Sequence, residues 1–274
     1  MLTLIFALTA PVLSAWICTV SGYSGLAWAG MFVLLDIAAF AALVLLYILF
    51  VSVCSLFTDP KKPRTSVNPF YHFLLIETAG LLLFLCGVRI KTEGLEKLPK
   101  NQPFLLVGNH RSNFDPIIAL WALRKYKISF VSKPENLRIP VVGRIIHMCG
   151  FLPIDREDDR RAAATILAAT AQIQSRTCSV GIYPEGTRNR EGTGLLPFKN
   201  GSFKIAQRSG APVAVAATDG SERIRRCAPL PTHVRFCIAG VIEQPEGRRC
   251  GTQELSQQAR QMLCQALQIH DAGA

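Results

Sequence analysis

The stretch PFLLVGNHRSNFD, residues 103–115, determines the fold that we expect for this chain. Its first six residues form a short apolar run typical of a buried strand, and a helical pattern follows over 115–125. His110 therefore lies in the turn after a strand, which is where α/β folds place their functional sites. The same turn carries Asp115, five positions further on. This stretch predicts a strand, a site-bearing turn and a helix.

His110 and Asp115 have the side chains of a general base and its orienting partner. A spacing of five does not place two residues on one face of a regular helix, so the chain must turn between them. An Asp that holds one ring nitrogen fixes the tautomer and leaves the other nitrogen free to accept a proton. The alternative is a helix-capping Asp beside an incidental surface His. No HExxH motif or second His/Cys cluster follows, so no metal site is predicted.

A second block, YPEGTR at residues 183–188, follows the apolar run 178–183. Gly186 allows close backbone approach, and Arg188 can bind a phosphate bidentately. Lys199, shortly afterwards, could supply another positive charge. For both cations the alternative is a solvated loop residue. The two blocks together predict an enzyme that deprotonates a hydroxyl on a phosphate-bearing substrate.

Other polar residues follow two further strand candidates. Lys133 comes after 128–132, where it is either an anion contact or a plain turn lysine. Asp155 and Arg156 come after 151–154. They could pair with each other as a structural ion pair, or they could form part of the site wall.

Beyond residue 100, short apolar runs alternate with longer amphipathic stretches. The predicted strands are 103–108, 128–132, 151–154, 178–183, 212–218 and 233–240. The predicted helices are 115–125, 136–149, 157–175, 201–209 and 252–268. Strands that alternate with helices indicate an α/β domain with a largely buried sheet. We expect a mixed, mostly parallel sheet flanked by helices and preceded by N-terminal transmembrane and interfacial helices.

Charge is distributed unevenly along the 274 residues. Residues 1–58 contain no Lys or Arg, and Asp36 is their only charged side chain. The other 216 residues hold all 30 basic and 18 of the 19 acidic residues, a surplus of +12. Such a basic body suits nucleic acid, an anionic membrane surface or acidic substrates. The apolar N-terminus favours the membrane.

Two apolar segments, 1–20 and 29–57, are long enough to span a hydrocarbon core of about 30 Å. The first could instead be a cleaved signal peptide, but it lacks the basic region with which such peptides begin. A third segment, 69–88, carries Glu77 and has basic residues on both sides, which places both ends on one side of the membrane. It is therefore predicted to lie in the interface or to re-enter. The alternative, a third full span, would place the basic body outside.

These observations predict three parts of the chain. Residues 1–58 would form two transmembrane helices, 59–88 a basic linker and interfacial helix, and 89–274 the catalytic domain. The nine cysteines include no CxxC pair, which is typical of reduced thiols in a cytosol-facing protein.

The sequence resembles the membrane glycerophospholipid acyltransferases, and in particular the 1-acyl-glycerol-3-phosphate (lysophosphatidate) acyltransferases. The first motif of that family, NHxSxxD, matches 109–115. The third, FPEGTRS, matches 183–189 with Tyr183 for Phe and Asn189 for Ser, and an LPFKxG continuation matches 196–201.

The other two motifs of the family are also present. The second, a Lys, a Pro-x-x-Gly stretch and then GxxFIDR, matches Lys133, Pro140, Gly143 and 150–156, with Pro153 where Phe is usual. The fourth, an apolar PVVPVA-like strand, corresponds to 212–217 with Val215 for the inner Pro. The resemblance covers about residues 85–240, and 89–274 would then be an acyltransferase domain.

The resemblance implies acyl transfer from acyl-CoA or acyl carrier protein to the 2-hydroxyl of lysophosphatidate, giving phosphatidate in phospholipid biosynthesis. It implies that His110 takes the hydroxyl proton, that Asp115 orients His110, and that backbone N–H groups near the helix start hold the oxyanion. The acceptor phosphate is expected to be bound by Arg188, Lys133, Arg156 and Lys199. The residues expected to form or support the site wall are Asn109, Ser112, Asp155, Glu185, Gly186 and Thr187.

The resemblance implies no metal or redox cofactor, with the acyl thioester as co-substrate. The expected partners are membrane lipids, lysophosphatidate and acyl-CoA or acyl carrier protein, but not nucleic acid. The expected location is the cytoplasmic membrane, as an integral protein whose catalytic domain faces the cytosol. One alternative is an acyltransferase acting on glycerol-3-phosphate or another lysophospholipid. The other is a non-catalytic membrane- or nucleic-acid-binding protein, although the basic residues do not interleave with aromatics as in single-strand binders.

Overall fold

The chain divides into two compact units, Met1–Thr58 and Asp59–Ala274. The structure, a computed structural model, describes residues 2–60, 62, 64, 66–190, 194–244 and 249–269. Whether the three parts predicted from the sequence are separate domains stays a prediction.

The first unit consists of two apolar helices, α1 (Leu2–Val20) and α2 (Gly25–Leu56), which pack against each other. Both are long and apolar enough to cross a membrane, by length and composition alone. Signal sequences and the core helices of soluble proteins satisfy the same criterion, so the two spans stay a prediction. The second helix begins four residues before the predicted segment.

The second unit is built on a seven-stranded sheet in its described part. Its order is β1-β7-β6-β2-β5-β3-β4, and neighbouring strands are parallel except for the antiparallel pair β6 and β7. The strands are β1 (Val88–Glu93), β2 (Leu105–Gly108), β3 (Ile128–Ser132), β4 (Leu152–Pro153), β5 (Ser179–Ile182), β6 (Val213–Asp219) and β7 (Thr232–Ile242). The predicted mixed, mostly parallel sheet is confirmed.

Helices cover both faces of this sheet. They are α3 (Pro69–Leu85), α4 (Asp115–Ala122), α5 (Pro134–Arg138), α6 (Val142–Met148), α7 (Asp159–Gln174), α8 (Lys204–Ser209), α9 (Ile224–Cys227) and α10 (Thr252–Leu267). Short 3-10 turns lie at Leu95–Lys97, Asn200–Phe203 and Ser221–Arg223.

Side-chain alternation along β2 shows how the two faces are filled. Leu105 and Val107 belong to the main core cluster, which also includes residues of α7, α8 and α10. Leu106 lies on the other face, near Ala119 of α4. All four β2 residues are buried, as expected for a central parallel strand covered on both sides. The turn after β2 is therefore mounted on a rigid element.

Two local predictions were wrong. Val88–Glu93 was not predicted as a strand, because this edge strand carries charged residues at alternate positions. The predicted helix 136–149 is divided into α5 and α6, because Pro140 cannot continue a helix. A Cβ on Gly143 would lie 2.2 Å from the Leu137 carbonyl oxygen, so only glycine fits where the two short helices meet.

Helix α3 packs against α4 and α6 within the second unit. Asn68 caps it, since its Oδ1 accepts hydrogen bonds from the N–H groups of Phe70 and Tyr71 at 3.0 and 3.3 Å. Glu77, on this helix, is buried. The segment 69–88, predicted to be an interfacial helix, is helical only as far as Leu85. Val88 is the first residue of β1.

The turn between α5 and α6 contains a strained backbone. Val141 has φ +64° and ψ −63°, and Val142 N–H donates to the Pro140 carbonyl at 2.7 Å. This is the geometry of the rare, strained γ-turn, and a β-branched residue is especially unfavourable there.

We expect Val141→Gly to stabilise the protein by about 1 kcal/mol, because a residue held in a sparsely populated backbone region costs about 1–3 kcal/mol and glycine loses part of that gain as entropy. The melting temperature measured in detergent should rise by about 2–4 °C. The matched control is Val142→Gly, which introduces glycine at a helical position and should lower the melting temperature. An equal fall in melting temperature in both variants would show that the Val141 turn is not strained.

Candidate active site

His110 and Asp115 are brought into contact by the turn between β2 and α4. His110 lies just beyond β2, and Asp115 is the first residue of α4. The distance from His110 Nδ1 to Asp115 Oδ2 is 2.8 Å. The Asp115 side chain is fully buried, whereas the His110 side chain is 17% exposed. With the carboxylate ionised, Nδ1 is the donor and Nε2 remains as the acceptor.

The Asp115 carboxylate is held by several further donors. Its Oδ2 accepts hydrogen bonds from the N–H groups of Arg111 and Ser112, both at 2.7 Å. Its Oδ1 accepts from the Ser221 hydroxyl, which comes from the turn after β6. The carboxylate is thus fixed in both position and orientation.

Two consequences follow for the sequence-based predictions. The N–H groups of Arg111 and Ser112 are both engaged by Asp115, and the backbone N–H groups that hold the oxyanion stay a prediction without named residues. Ser221 was missed, because a serine 106 positions away with no surrounding motif gives no sequence signal.

The imidazole of His110 stacks on an aromatic side chain of the second block. Its ring centroid lies 4.4 Å from that of Tyr183, with 18° between the planes. Tyr183 in turn stacks on Phe130 of β3 at 6.0 Å. Burial raises the pKa of the Tyr183 hydroxyl well above its ordinary value, and the nearby Asp115 carboxylate adds to this. Tyr183 therefore acts as a neutral ring that limits rotation of the imidazole.

Asn109 and Glu185 hold the backbone on either side of His110. The Asn109 side chain donates to the Thr218 carbonyl and accepts from the Thr218 N–H, both at 2.8 Å, so it continues the sheet as a strand would. Glu185 Oε1 accepts from the His110 N–H at 2.7 Å, and Oε2 accepts from the Leu196 N–H at 3.1 Å. Burial raises the pKa of the Glu185 carboxyl, partly offset by these hydrogen bonds. Glu185 thus joins the backbone of His110 to that of Leu196.

We expect Glu185→Gln to lower kcat by about 10- to 100-fold. A glutamine offers one acceptor and one NH₂ donor, so one of the two N–H groups loses its partner in a buried place, at a cost of about 1–3 kcal/mol. Initial rates at saturating substrates measure the effect. Glu222→Gln, an exposed carboxylate near α9, is the matched control and should retain full activity. Wild-type rates in Glu185→Gln would show that this carboxylate does not position His110.

A cavity of about 520 Å³ lies at the carboxyl ends of the parallel strands. His110 lines it, and so do all four cations predicted to bind phosphate: Lys133, Arg156, Arg188 and Lys199. Asn113, Gly186 and Thr187 line it as well. The rest of its wall is largely apolar, with Leu75, Leu120, Ile139, Val142 and Ile146. The cavity therefore combines a cationic part with an apolar part.

Gly186 allows one of these cations to reach the site. Its φ is +71°, and a Cβ at this position would lie 2.9 Å from Cε of Lys199. The Lys199 side chain thus lies across Gly186, and another residue there would be strained and would displace it.

Arg156 and Asp155 do not pair with each other. Asp155 Oδ2 lies 3.3 Å from the Arg161 guanidinium, and Oδ1 accepts from the Glu157 N–H at 3.1 Å. Asp155 is not among the residues that line the cavity, whereas Arg156 is. Desolvation lowers the pKa of the Arg156 guanidinium, and the Glu135 carboxylate opposes this. The sequence allowed either a structural ion pair or a place in the site wall for these two residues. Asp155 makes a local ion pair with Arg161, and Arg156 lines the cavity.

Ser112, predicted to form or support the site wall, contacts the backbone of its own turn. Its hydroxyl accepts from the Phe114 N–H at 3.2 Å, and it is buried. Among the described residues there is no group of three or more His, Cys, Asp or Glu that could hold a metal ion. The expectation that no cofactor is needed stays a prediction.

A buried His–Asp pair at the end of a parallel strand, beside a cavity that cations also line, is an arrangement typical of α/β enzymes with a histidine general base. Residues 89–218 match the Acyltransferase family model. The 1-acyl-sn-glycerol-3-phosphate acyltransferase of Escherichia coli is 31% identical over 185 residues, which cover 66% of this chain and 72% of that protein. The chain belongs to this acyltransferase family.

Other similar proteins differ in how much of their length is matched. The chloroplastic 1-acyl-sn-glycerol-3-phosphate acyltransferase BAT2 of Brassica napus is 34% identical over 156 residues, covering 57% of this chain and 44% of that protein. The matches span about half to two thirds of the length of several such relatives. The crystal structure of the 1-acyl-sn-glycerophosphate (LPA) acyltransferase PlsC from Thermotoga maritima shares the fold. Its TM-score is 0.63 at 24% identity, over 81% of this chain and 88% of that one.

Proposed function

We propose that this protein transfers a fatty acyl group from a thioester donor to the 2-hydroxyl of lysophosphatidate. The observation that carries the proposal is the His110–Asp115 pair, which faces a cavity with both cationic and apolar walls. The substrate has the same two parts, a phosphate and a long acyl chain. The names of the curated relatives support the same reaction.

The proposed chemistry is direct transfer. Nε2 of His110 takes the proton of the 2-hydroxyl while the oxygen attacks the thioester carbonyl carbon. Asp115 stabilises the imidazolium that forms, through the 2.8 Å contact with Nδ1. The carbon–sulfur bond then breaks, the new ester remains, and the imidazolium returns its proton to the leaving thiolate. The only groups that change protonation are the acceptor hydroxyl, His110 and the donor sulfur.

The order of the strands supports a particular phosphate site. Neighbouring strands lie about 4.8 Å apart. His110 follows β2, Arg188 follows the adjacent β5, Lys133 follows β3, and Arg156 follows β4. In lysophosphatidate the hydroxyl and the phosphate are on neighbouring carbons, so the phosphate must lie close to His110. Arg188 is therefore the leading candidate, with Lys199 across Gly186 beside it.

The acyl chains would occupy the apolar part of the cavity, between α3, α4 and α6. Either acyl-CoA or acyl carrier protein would serve as donor, since both present the same thioester. No step requires a metal or redox cofactor.

We propose that the protein acts at the cytoplasmic membrane with its catalytic unit in the cytosol. Two N-terminal helices that are long and apolar enough to span a bilayer support this. Helix α3 adds exposed apolar side chains, including Phe70, Phe73 and Phe84. Such side chains suit an interfacial position, where one side of a helix meets lipid and the other packs on protein.

We expect segment 69–88 not to cross the bilayer, because a crossing would separate its basic flanks. Cysteines placed at Ser66 and Thr92, in a background without the native thiols, should both resist a membrane-impermeant reagent on intact cells. Both should react once the membrane is opened. Labelling of only one of them on intact cells would show that the segment spans.

A panel of acceptors tests the proposed function. Purified protein is given a saturating thioester with lysophosphatidate, glycerol-3-phosphate or lysophosphatidylcholine. The proposal predicts the highest kcat/KM for lysophosphatidate, which has both the terminal phosphate and the chain. A preference for glycerol-3-phosphate or for another lysophospholipid would assign a different acceptor. No transfer to any of them, with either donor, would contradict acyltransferase activity.

A further inference from the structure

Arg260, on the C-terminal helix α10, lies outside the residues that match the family model but contacts the loop that carries Lys199. Its guanidinium donates to the Leu196 carbonyl at 3.0 Å and to the Leu195 carbonyl at 3.3 Å. The same guanidinium lies 5.5 Å from the ring centroid of Phe198. One planar side chain thus holds three residues of the loop that precedes Lys199.

The loop is connected directly to the catalytic turn. The Leu196 N–H donates to Glu185 Oε2 at 3.1 Å, and Glu185 Oε1 accepts from the His110 N–H at 2.7 Å. A continuous series of hydrogen bonds therefore runs from Arg260 through Leu196 and Glu185 to His110. Every member except Arg260 lies in or beside a motif.

The same loop sets the position of Lys199. Its N–H donates to the Pro184 carbonyl at 2.8 Å, and its side chain crosses Gly186 into the cavity. Lys199 thus depends on two anchors: the turn after β5 on one side and the loop held by Arg260 on the other. A shift of this loop would move the ammonium group relative to a bound phosphate.

We propose that Arg260 is a positioning residue for the anion-binding part of the cavity, acting through Lys199. This inference rests on the proposed function, because it assigns that anion to the acceptor phosphate. Arginine is suited to this role, since its planar fork can bind two carbonyls while it stacks on a ring. A lysine could make one of these hydrogen bonds but could not maintain both with the stacking contact.

The test compares Arg260→Met with Arg260→Lys, since methionine keeps much of the stem while removing the donors. We expect Arg260→Met to raise the KM for lysophosphatidate about tenfold, as for the loss of a charged hydrogen bond, and to leave the donor KM within about twofold. Arg260→Lys should raise the KM for lysophosphatidate by less than Arg260→Met does. Gln257→Met, at an exposed position on the same helix, is the matched control and should behave as wild type.

A double-mutant cycle shows whether the effect passes through Lys199. Once Lys199→Ala has been introduced, Arg260→Met should raise the acceptor KM by less than about twofold. Equal increases in the two KM values, or full additivity with Lys199→Ala, would overturn the inference. If Arg260→Met does not fold, the same cycle is measured with Arg260→Lys and Lys199→Ala. Absence of acyl transfer in the wild type would instead refute the proposed function, so the two failures are distinguishable.

Discussion

His110→Ala is expected to lower kcat by about 10³- to 10⁴-fold, because one imidazole carries the whole proton transfer in the proposed reaction. The change should leave the KM for either substrate within a few-fold, since His110 occupies only a small part of the cavity wall. The change in kcat is measured from initial rates with saturating thioester and lysophosphatidate. Asp115→Asn should have a comparable effect, because an amide cannot accept all the donors that converge on the carboxylate.

The control for this experiment is His233→Ala. His233 lies on β7 with an exposed side chain and should tolerate the change with full activity. Melting temperatures separate a loss of chemistry from a loss of folding. A His110→Ala enzyme that is folded and keeps more than a tenth of the wild-type kcat would exclude the general-base role.

Arg188→Ala is expected to raise the KM for lysophosphatidate about 10- to 100-fold, while the KM for the thioester changes little. The reason is the loss of a bidentate, charge-assisted contact with the phosphate, worth about 1.5–3 kcal/mol. Arg188 lines the cavity and follows the strand adjacent to that of His110. Measuring both KM values at a fixed saturating concentration of the other substrate gives the comparison.

Arg190→Ala is the matched control, since Arg190 is exposed two residues further on and is not among the residues that line the cavity. It removes the same charge from the same segment, so a general electrostatic effect would appear in both variants. Equal rises of the donor and acceptor KM values in Arg188→Ala would assign Arg188 to the fold or to the donor.

The contact between His110 and Asp115 could be predicted from the sequence because its geometry is local. An apolar strand, a short turn and an Asp at the start of a helix bring positions 110 and 115 together without any distant contact. Strand β1 was not predictable in the same way, since its exposed edge position allows charged side chains where a buried strand would be apolar.

The part of the site that depends on distant residues could not be predicted. The sequence does not give the order β2-β5-β3-β4, which places the strand before Arg188 next to that of His110 and the strand before Arg156 two strands further away. Ser221 contacts Asp115 and Arg260 contacts the loop before Lys199, each from an element that carries no motif. Asp155 shows the converse, because it contacts Arg161 in the first turn of α7 and does not line the cavity, although its motif also allowed a place in the site wall.

The most direct test of the account is the detection of phosphatidate formed by the purified protein. Lysophosphatidate labelled in its glycerol is incubated with acyl-CoA or acyl carrier protein thioester, and the products are analysed by mass spectrometry. The account predicts labelled phosphatidate with the donor chain at position 2, formed by the wild type and reduced at least about a thousandfold in His110→Ala. Absence of phosphatidate with both donors, or equal amounts from wild type and His110→Ala, would contradict it.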